Sequence, residues 1–224
     1  MEESLNQCPW SEYSTGNFPL CEEKICELVR QPANSYSNIL FFLLGAYLIF
    51  LFVNKKSRHG LNFGIVLILL GMASFGAHAT STNLFGFLDF AAIFLVFSLF
   101  AGYNLIHSKI LNVKSIFLST SLFFIPTTLI LYFFKSTREI IFALFIVGLL
   151  AWEAKLLKIA GKKFLTRQMK IILIVFSISV ICLILDSTKT ICNPQNHYFQ
   201  LHMLWHLLNA VAIYYLARHL DEHH

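Results

Sequence analysis

The sequence predicts an all-α membrane protein: a seven-transmembrane helix bundle with its N-terminus outside and its C-terminus in the cytoplasm. Three observations support this fold class: an apolar composition, seven separate apolar runs and an uneven distribution of basic residues. Of the 224 residues, 57% are hydrophobic and 13% are charged, and the mean hydropathy is +0.66. An average soluble domain carries about 25% charged residues, so this chain has too little polar surface for water.

Each apolar run is long enough to cross a bilayer as a helix, which takes roughly 17–25 residues. The predicted spans are 37–53, 61–79, 84–105, 115–134, 139–156, 170–187 and 198–217. This division predicts an extracytoplasmic N-terminal tail at 1–36, a seven-helix transmembrane domain at 37–217 and a short cytoplasmic tail at 218–224.

The basic residues set the predicted orientation. Twelve of the 17 lysines and arginines follow spans one, three and five or lie in the C-terminal tail. They are Lys55, Lys56, Arg58, Lys109, Lys114, Lys155, Lys158, Lys162, Lys163, Arg167, Lys170 and Arg218. Cytoplasmic loops carry an excess of positive charge, which places these segments inside. The same bias accounts for the net charge of +5, so the membrane is the expected partner and nucleic acid is not.

Two histidines at the start of the last span, His202 and His206, point to metal chemistry. Residues four apart on a helix project from one face about one turn apart. Imidazole is the commonest metal ligand among side chains, so this pair supplies half of a zinc site. Upstream, Ser74 and His78 have the same spacing near the end of span two, and Asp89 follows in span three.

The predicted topology brings these five residues to one depth, because span two ends, and spans three and seven begin, at the outer face. A carboxylate at the centre of the hydrocarbon costs roughly 2.5–3.5 kcal/mol and less near the rim, so Asp89 needs a partner, a cation or a function. Glu153 lies near the basic inner end of span five, where pairing or snorkelling suffices. His197 is expected in solvent. The other histidines are interpreted as interfacial or hydrogen-bonded: His59, His107, His219, His223 and His224.

Three histidines with an open coordination position favour a catalytic zinc site, because structural sites are closed by four protein ligands. Zinc lowers the pKa of its bound water to about 7, which provides a nucleophile at neutral pH. Asp89 suits a general base for that water, and Ser74 suits a hydrogen-bond donor to the substrate carbonyl or the developing oxyanion. Such a set hydrolyses an amide or an ester, and its position beside acyl chains favours a lipid substrate.

These residues carry a resemblance to a known family. The pattern Ser74-x-x-x-His78, then Asp89, then His202-x-x-x-His206 on the last span resembles the alkaline ceramidases, whose superfamily includes the adiponectin-receptor-like proteins. Cys21-Glu22 and the segment Pro32-Ala-Asn-Ser-Tyr-Ser-Asn38 match the family's N-terminal signature in part. The resemblance implies zinc on His78, His202 and His206, and hydrolysis of the ceramide amide to a sphingoid base and a fatty acid.

The N-terminal tail departs from that family. Animal relatives carry a regulatory calcium site around the Cys-Glu pair, with a further glutamate before span one. Here Pro19, Leu20 and Lys24 flank the pair and Gln31 replaces the later glutamate, so only Glu22 is retained. Calcium prefers several anionic oxygens, and a nearby lysine opposes it. We therefore expect the calcium site to be absent or weakened and the tail's remaining acids to form a solvated face.

Four of the five cysteines fall on the predicted outer side: Cys8, Cys21, Cys26 and Cys192. An oxidising compartment permits disulfides there, and four cysteines allow three complete pairings. The resemblance favours Cys21–Cys192, which leaves Cys8–Cys26. Cys182 lies within a span and is expected to pack in the core.

Two other functions compete with the ceramidase-like amide hydrolase. One is a zinc-dependent acyl-ester lipase or phospholipase on the same scaffold. The other is a seven-helix receptor or sensor with structural zinc, which Asp89 beside an open three-histidine site argues against. The compact chain favours a bacterial inner membrane with the active site toward the extracytoplasmic side. Acyl-chain preference, headgroup tolerance and oligomeric state are left open.

Overall fold

The computed structural model of the chain describes residues 8–14, 16, 19–55, 58–109, 114–134 and 138–223. Lys56 and His224 lie outside these ranges. The described residues form one short helix and seven long ones, and no strand is found among them. The helices are α1 (Pro32–Tyr36), α2 (Ile39–Lys55), α3 (Arg58–Thr80), α4 (Asn83–Ser108), α5 (Ile116–Phe133), α6 (Arg138–Ile159), α7 (Arg167–Ser187) and α8 (Leu201–His223).

The seven long helices lie at the seven predicted spans, with ends that differ by a few residues. Six of them, α2 to α7, are long and apolar enough to cross a membrane, as is typical of an integral multi-pass membrane protein. The final helix, α8, is not among the six, and it carries four histidines and three charged residues. It also continues to His223, beyond the predicted boundary at 217. The count of seven spans and the orientation therefore stay predictions.

The core lies where α3 packs against α2, α4 and α8. Its fully buried side chains include Leu48, Phe63, Leu67, Phe94 and Leu220. Large apolar side chains on the outer faces of α5, α6 and α7 are exposed, for example Phe117, Leu144 and Ile174. Such extensive apolar exposure is typical of a surface that meets lipid rather than water.

Two glycines allow α2 and α3 to approach closely. A Cβ atom on Gly45 would lie 2.8 Å from the backbone oxygen of Gly64, and a Cβ on Gly64 would lie 2.8 Å from the backbone oxygen of Gly45. Small residues at helix crossings in membranes let the backbones come into contact. This crossing fixes α3, which carries Ser74 and His78, against α2.

The end of the bundle formed by the C-termini of α6 and α8 contains buried polar pairs. His219 Nε2 lies 2.9 Å from Glu153 Oε1, and both side chains are fully buried. His59 Nδ1 lies 3.1 Å from Asp221 Oδ1. His59 and His219 are therefore hydrogen-bonded residues, and Glu153 is offset by pairing, in agreement with the sequence-based interpretation.

Candidate metal centre and active site

Three buried histidines meet where the last turn of α3 packs against the first turns of α8. His78, His202 and His206 are 3–7% exposed, and one potential ligand atom from each lies within 4.8 Å of the other two. The Nε2 atoms of His78 and His202 are 3.3 Å apart. The two histidine-bearing segments, 124 residues apart in the chain, thus form one group that can hold a metal ion.

The register of α3 against α8 explains this convergence. His78 lies two residues before the end of α3, and His202 is the second residue of α8. One turn deeper, Ser74 Oγ lies 3.4 Å from His206 Nε2. The two helices run in opposite directions, so each i, i+4 pair meets the other over the same two turns.

Asp89 adjoins the group at Ser74, whose side chain interacts with the Asp89 carboxyl. Ser74 lies six residues before the end of α3 and Asp89 six residues after the start of α4. At 1.5 Å per residue, both sit roughly 9 Å from the turn that joins the two helices. Asp89 Oδ1 is buried and has no hydrogen-bond partner within the described part of the chain.

That joining turn is short, because only Ser81 and Thr82 separate α3 from α4. The Thr80 hydroxyl donates to the Gly76 backbone oxygen at 2.7 Å, and the Ser81 N–H donates to the Ala77 oxygen at 2.8 Å. Ser81 adopts a left-handed conformation with φ of +52°. The chain therefore reverses within two residues and returns Asp89 to the depth of Ser74.

One pair of nitrogens has the separation expected of two ligands on a tetrahedral metal ion. Zinc–nitrogen bonds of about 2.0–2.1 Å at tetrahedral angles separate neighbouring ligand nitrogens by about 3.3–3.4 Å. The 3.3 Å separation of the His78 and His202 nitrogens agrees with that value. Among the described residues, no cysteine, aspartate, glutamate or fourth histidine joins the group. Three imidazoles leave one position of a tetrahedron open.

The N-terminal tail folds over this group and is ordered by Glu22. Helix α1 begins with Pro32, which suits the first helical position because it has no N–H to leave unpaired. The buried Glu22 carboxylate accepts the N–H groups of Ala33 and Asn34, each at 2.9 Å. A negative charge at a helix N-terminus is favourable, so Glu22 fixes α1 beside α3 and α8.

Two residues that precede α2, in the N-terminal tail as the structure delimits it, contact the clustered histidines directly, and the sequence patterns did not reveal them. Gln31 Oε1 lies 3.1 Å from His78 Nδ1, and Ser37 Oγ lies 2.8 Å from His206 Nδ1. Both tail side chains are buried. Gln31 lies in the predicted tail and Ser37 is the first residue of predicted span one, in a polar segment without helical periodicity, so no spacing rule pointed to either. The partial match of residues 32–38 to the family's signature was the available signal.

Asp186, at the end of α7, is a third contact that the sequence interpretation missed. Its Oδ1 accepts the His202 backbone N–H at 3.1 Å, and its Oδ2 accepts the Cys21 N–H at 2.9 Å. A carboxylate inside an apolar run was a usable signal, the same one that drew attention to Asp89. His202 Nδ1, by contrast, is buried with no hydrogen-bond partner among the described residues.

Both expected disulfides are confirmed. Cys21 is bonded to Cys192 and Cys8 to Cys26. Cys182 is free and buried, as expected for a core residue. The Cys21–Cys192 bond joins the tail to the loop before α8, so it crosslinks the chain beside the histidine cluster.

The surroundings of Glu22 correct two expectations for the tail. Glu22 is buried rather than part of a solvated face, whereas Glu12, Glu23 and Glu27 are exposed. His197 is not free in solvent, because its Nδ1 lies 3.2 Å from Glu22 Oε1.

The nearby Lys24 donates to the Gly16 backbone oxygen at 3.1 Å. Burial lowers the pKa of this lysine, and the positive charge of Arg30 lowers that pKa further. Two cationic side chains thus lie in the segment where the animal relatives are expected to bind calcium.

Comparison with known proteins shows the family of the chain. The sequence matches the Ceramidase family over residues 12–221, which includes all five predicted site residues. It is 25% identical to alkaline ceramidase 1 of Homo sapiens, in an alignment that covers 91% of this chain and 81% of the human protein. The resemblance inferred from the motifs is confirmed: the chain belongs to the ceramidase family.

Proposed function

We propose that the chain is a zinc-dependent intramembrane hydrolase that cleaves the linear amide bond of a ceramide-like lipid. The products are a sphingoid base and a fatty acid. The observation that carries the proposal is the buried three-histidine cluster with Ser74 and Asp89 beside it. Membership of the ceramidase family supports the substrate class and the amide bond.

His78, His202 and His206 are the proposed ligands. Zinc held by them supplies a Lewis acid that makes water nucleophilic near neutral pH. A site with only three protein ligands is typical of catalytic zinc, because structural zinc sites are closed by a fourth protein ligand. The burial of all three imidazoles excludes bulk water from the ligand side.

Asp89 is the proposed general base. A water oxygen forms a bond to the amide carbon, and its proton passes to the Asp89 carboxylate. The carbon–nitrogen bond then breaks, and the same proton moves from Asp89 to the departing amine nitrogen. The buried Oδ1 of Asp89, without a partner in the described residues, is available to accept that proton.

Ser74 is the proposed hydrogen-bond donor to the substrate oxygen. Its hydroxyl lies between a proposed ligand histidine and the base, 3.4 Å from His206 Nε2 and close enough to the Asp89 carboxyl to interact with it. From this position it can donate to the carbonyl oxygen as negative charge develops there. A donor aimed at that oxygen stabilises the transition state more than the ground state.

The active site is proposed to face the extracytoplasmic side of the membrane. We predict that this membrane is the bacterial inner membrane. Two disulfides lie in the tail and loop at the histidine end of the bundle. Disulfides persist in oxidising compartments, which supports this orientation. The basic loops at the opposite end agree with the positive-inside rule.

The proposal is tested with purified protein by measuring bound metal and fatty-acid release from ceramides of different chain length. His78→Ala should lose both metal and activity. Asp89→Asn should retain the metal and lose about 10²–10⁴-fold in turnover, because only the proton transfer is removed. His223→Ala and Asp221→Asn, at the other end of α8, are matched controls that should keep both properties.

Full activity in His78→Ala or Asp89→Asn would overturn the assignment. Glycerolipids assayed in parallel separate the amide hydrolase from an acyl-ester lipase or phospholipase. Zinc binding without release of fatty acid from either lipid class would favour the receptor alternative.

A further inference from the structure

We propose that Gln31 and Ser37 are positioning residues that fix the tautomers of two metal-binding histidines. They hold His78 and His206 with the proton on Nδ1, so that both Nε2 lone pairs face the cluster. The N-terminal tail then sets the metal affinity although it supplies no ligand. This inference rests on the proposed metal site.

The orientation of the Gln31 amide follows from its two contacts. One end lies 2.7 Å from the backbone oxygen of Glu22, and the other lies 3.1 Å from His78 Nδ1. A carbonyl oxygen only accepts hydrogen bonds, so the end that faces Glu22 is the NH₂ group. The amide oxygen therefore faces His78, and it requires a proton on Nδ1.

Ser37 imposes the same state on His206 by a different route. Its hydroxyl donates to the backbone oxygen of Asn34 at 2.8 Å. A hydroxyl has a single proton, so the Ser37 oxygen is left to accept at His206 Nδ1, 2.8 Å away.

A neutral imidazole with its proton on Nδ1 has its lone pair on Nε2. Outer hydrogen bonds of this kind select the tautomer of metal-bound histidines and fix the ring orientation. The two Nε2 atoms reach the cluster from α3 and α8, and among the described residues His202 has no such partner at Nδ1. The tail thus orients two of the three proposed ligands, and Asp186 holds the third, His202, by accepting its backbone N–H.

The test compares variants that differ only in the acceptor. Gln31→Leu removes the acceptor at His78, whereas Gln31→Glu keeps it, and both lose the bond to the Glu22 oxygen. Ser37→Ala removes the acceptor at His206. Ser35→Ala is its matched control, because Ser35 lies two residues before Ser37, is fully buried, and its hydroxyl has no hydrogen-bond partner in the described structure.

Two measurements are made: zinc affinity by competition with a chromophoric chelator, and histidine tautomers by ¹⁵N NMR of the metal-free protein. Gln31→Leu and Ser37→Ala should each weaken zinc binding about 10–100-fold and shift the ring of His78 or His206 away from the Nδ1–H form. Gln31→Glu and Ser35→Ala should stay close to the wild type in both. Should Gln31→Glu fail to fold, the two serine variants decide the matter.

Unchanged tautomers and unchanged zinc affinity in Ser37→Ala would overturn the inference, as would equal losses in Ser37→Ala and Ser35→Ala. The NMR measurement needs neither metal nor activity. A wild-type protein with both histidines in the Nδ1–H form but without hydrolysis would therefore refute the proposed function and leave the positioning role intact.

Discussion

The Asp186 carboxylate accepts the backbone N–H of His202 at 3.1 Å. Its other oxygen accepts the N–H of Cys21 at 2.9 Å, and Cys21 is disulfide-bonded to Cys192. One buried side chain at the end of α7 therefore joins the first turn of α8 to the crosslinked tail. The position of the histidine cluster depends on this connection as well as on the packing of the bundle.

Asp186→Asn should lower both the thermal stability and the zinc affinity. The asparagine amide has one acceptor oxygen, so it can bind only one of the two N–H groups. Leaving a buried donor unpaired costs about 1–3 kcal/mol. Thermal unfolding in detergent and chelator competition measure the two effects. Ser187→Ala, a change at the neighbouring residue, is the control: it removes only a bond within α7 and should alter neither property. An equal loss in both variants would contradict the connecting role of Asp186.

The two disulfides should differ in their contribution. The Cys21–Cys192 bond spans 171 residues and the Cys8–Cys26 bond spans 18. In the chain-entropy description, a short loop of this kind contributes about 3 kcal/mol and a loop longer than 100 residues about 5 kcal/mol. Replacing Cys21 and Cys192 by serine should therefore lower the melting temperature more, and it should also weaken zinc binding. Melting curves of the two double variants test this order, and equal melting temperatures would contradict it.

Gly45→Ala should disrupt the crossing of α2 and α3. The added methyl group would lie 2.8 Å from the Gly64 oxygen, and overpacking of this kind costs about 1–3 kcal/mol. Gly148→Ala in α6 is the control, because a Cβ there meets nothing within 4 Å. Melting temperatures should fall for the first variant and stay the same or rise for the second. An unchanged melting temperature for Gly45→Ala would show that the crossing relaxes freely.

The buried pair of Glu153 and His219 should stabilise the bundle without affecting the metal site. Glu153→Leu leaves His219 without its acceptor at 2.9 Å. Leaving a buried donor unpaired costs about 1–3 kcal/mol. Glu153→Gln keeps an acceptor oxygen and should cost less. Metal content should be unchanged in both variants, since this pair lies at the end of α8 far from His202. Loss of metal in folded Glu153→Gln would contradict that independence.

The helix positions and the residues of the cluster were readable from the sequence. Apolar length is a local property, so each run predicted a helix within a few residues of its observed bounds. The i, i+4 spacing placed Ser74 with His78, and His202 with His206, on single helix faces. Alternating chain direction then put both pairs and Asp89 at one depth, because short connections force neighbouring helices to reverse.

The tertiary structure alone decided what surrounds those residues. Gln31 and Ser37 lie in a polar tail whose side chains follow no periodicity, so their contacts with His78 and His206 depend on how the tail folds over the bundle. The burial of Glu22 also depends on how the tail folds, since its carboxylate accepts the N–H groups at the start of α1. Spacing along one helix fixes which side chains share a face, whereas hydrogen bonds between distant segments depend on packing that no local pattern encodes.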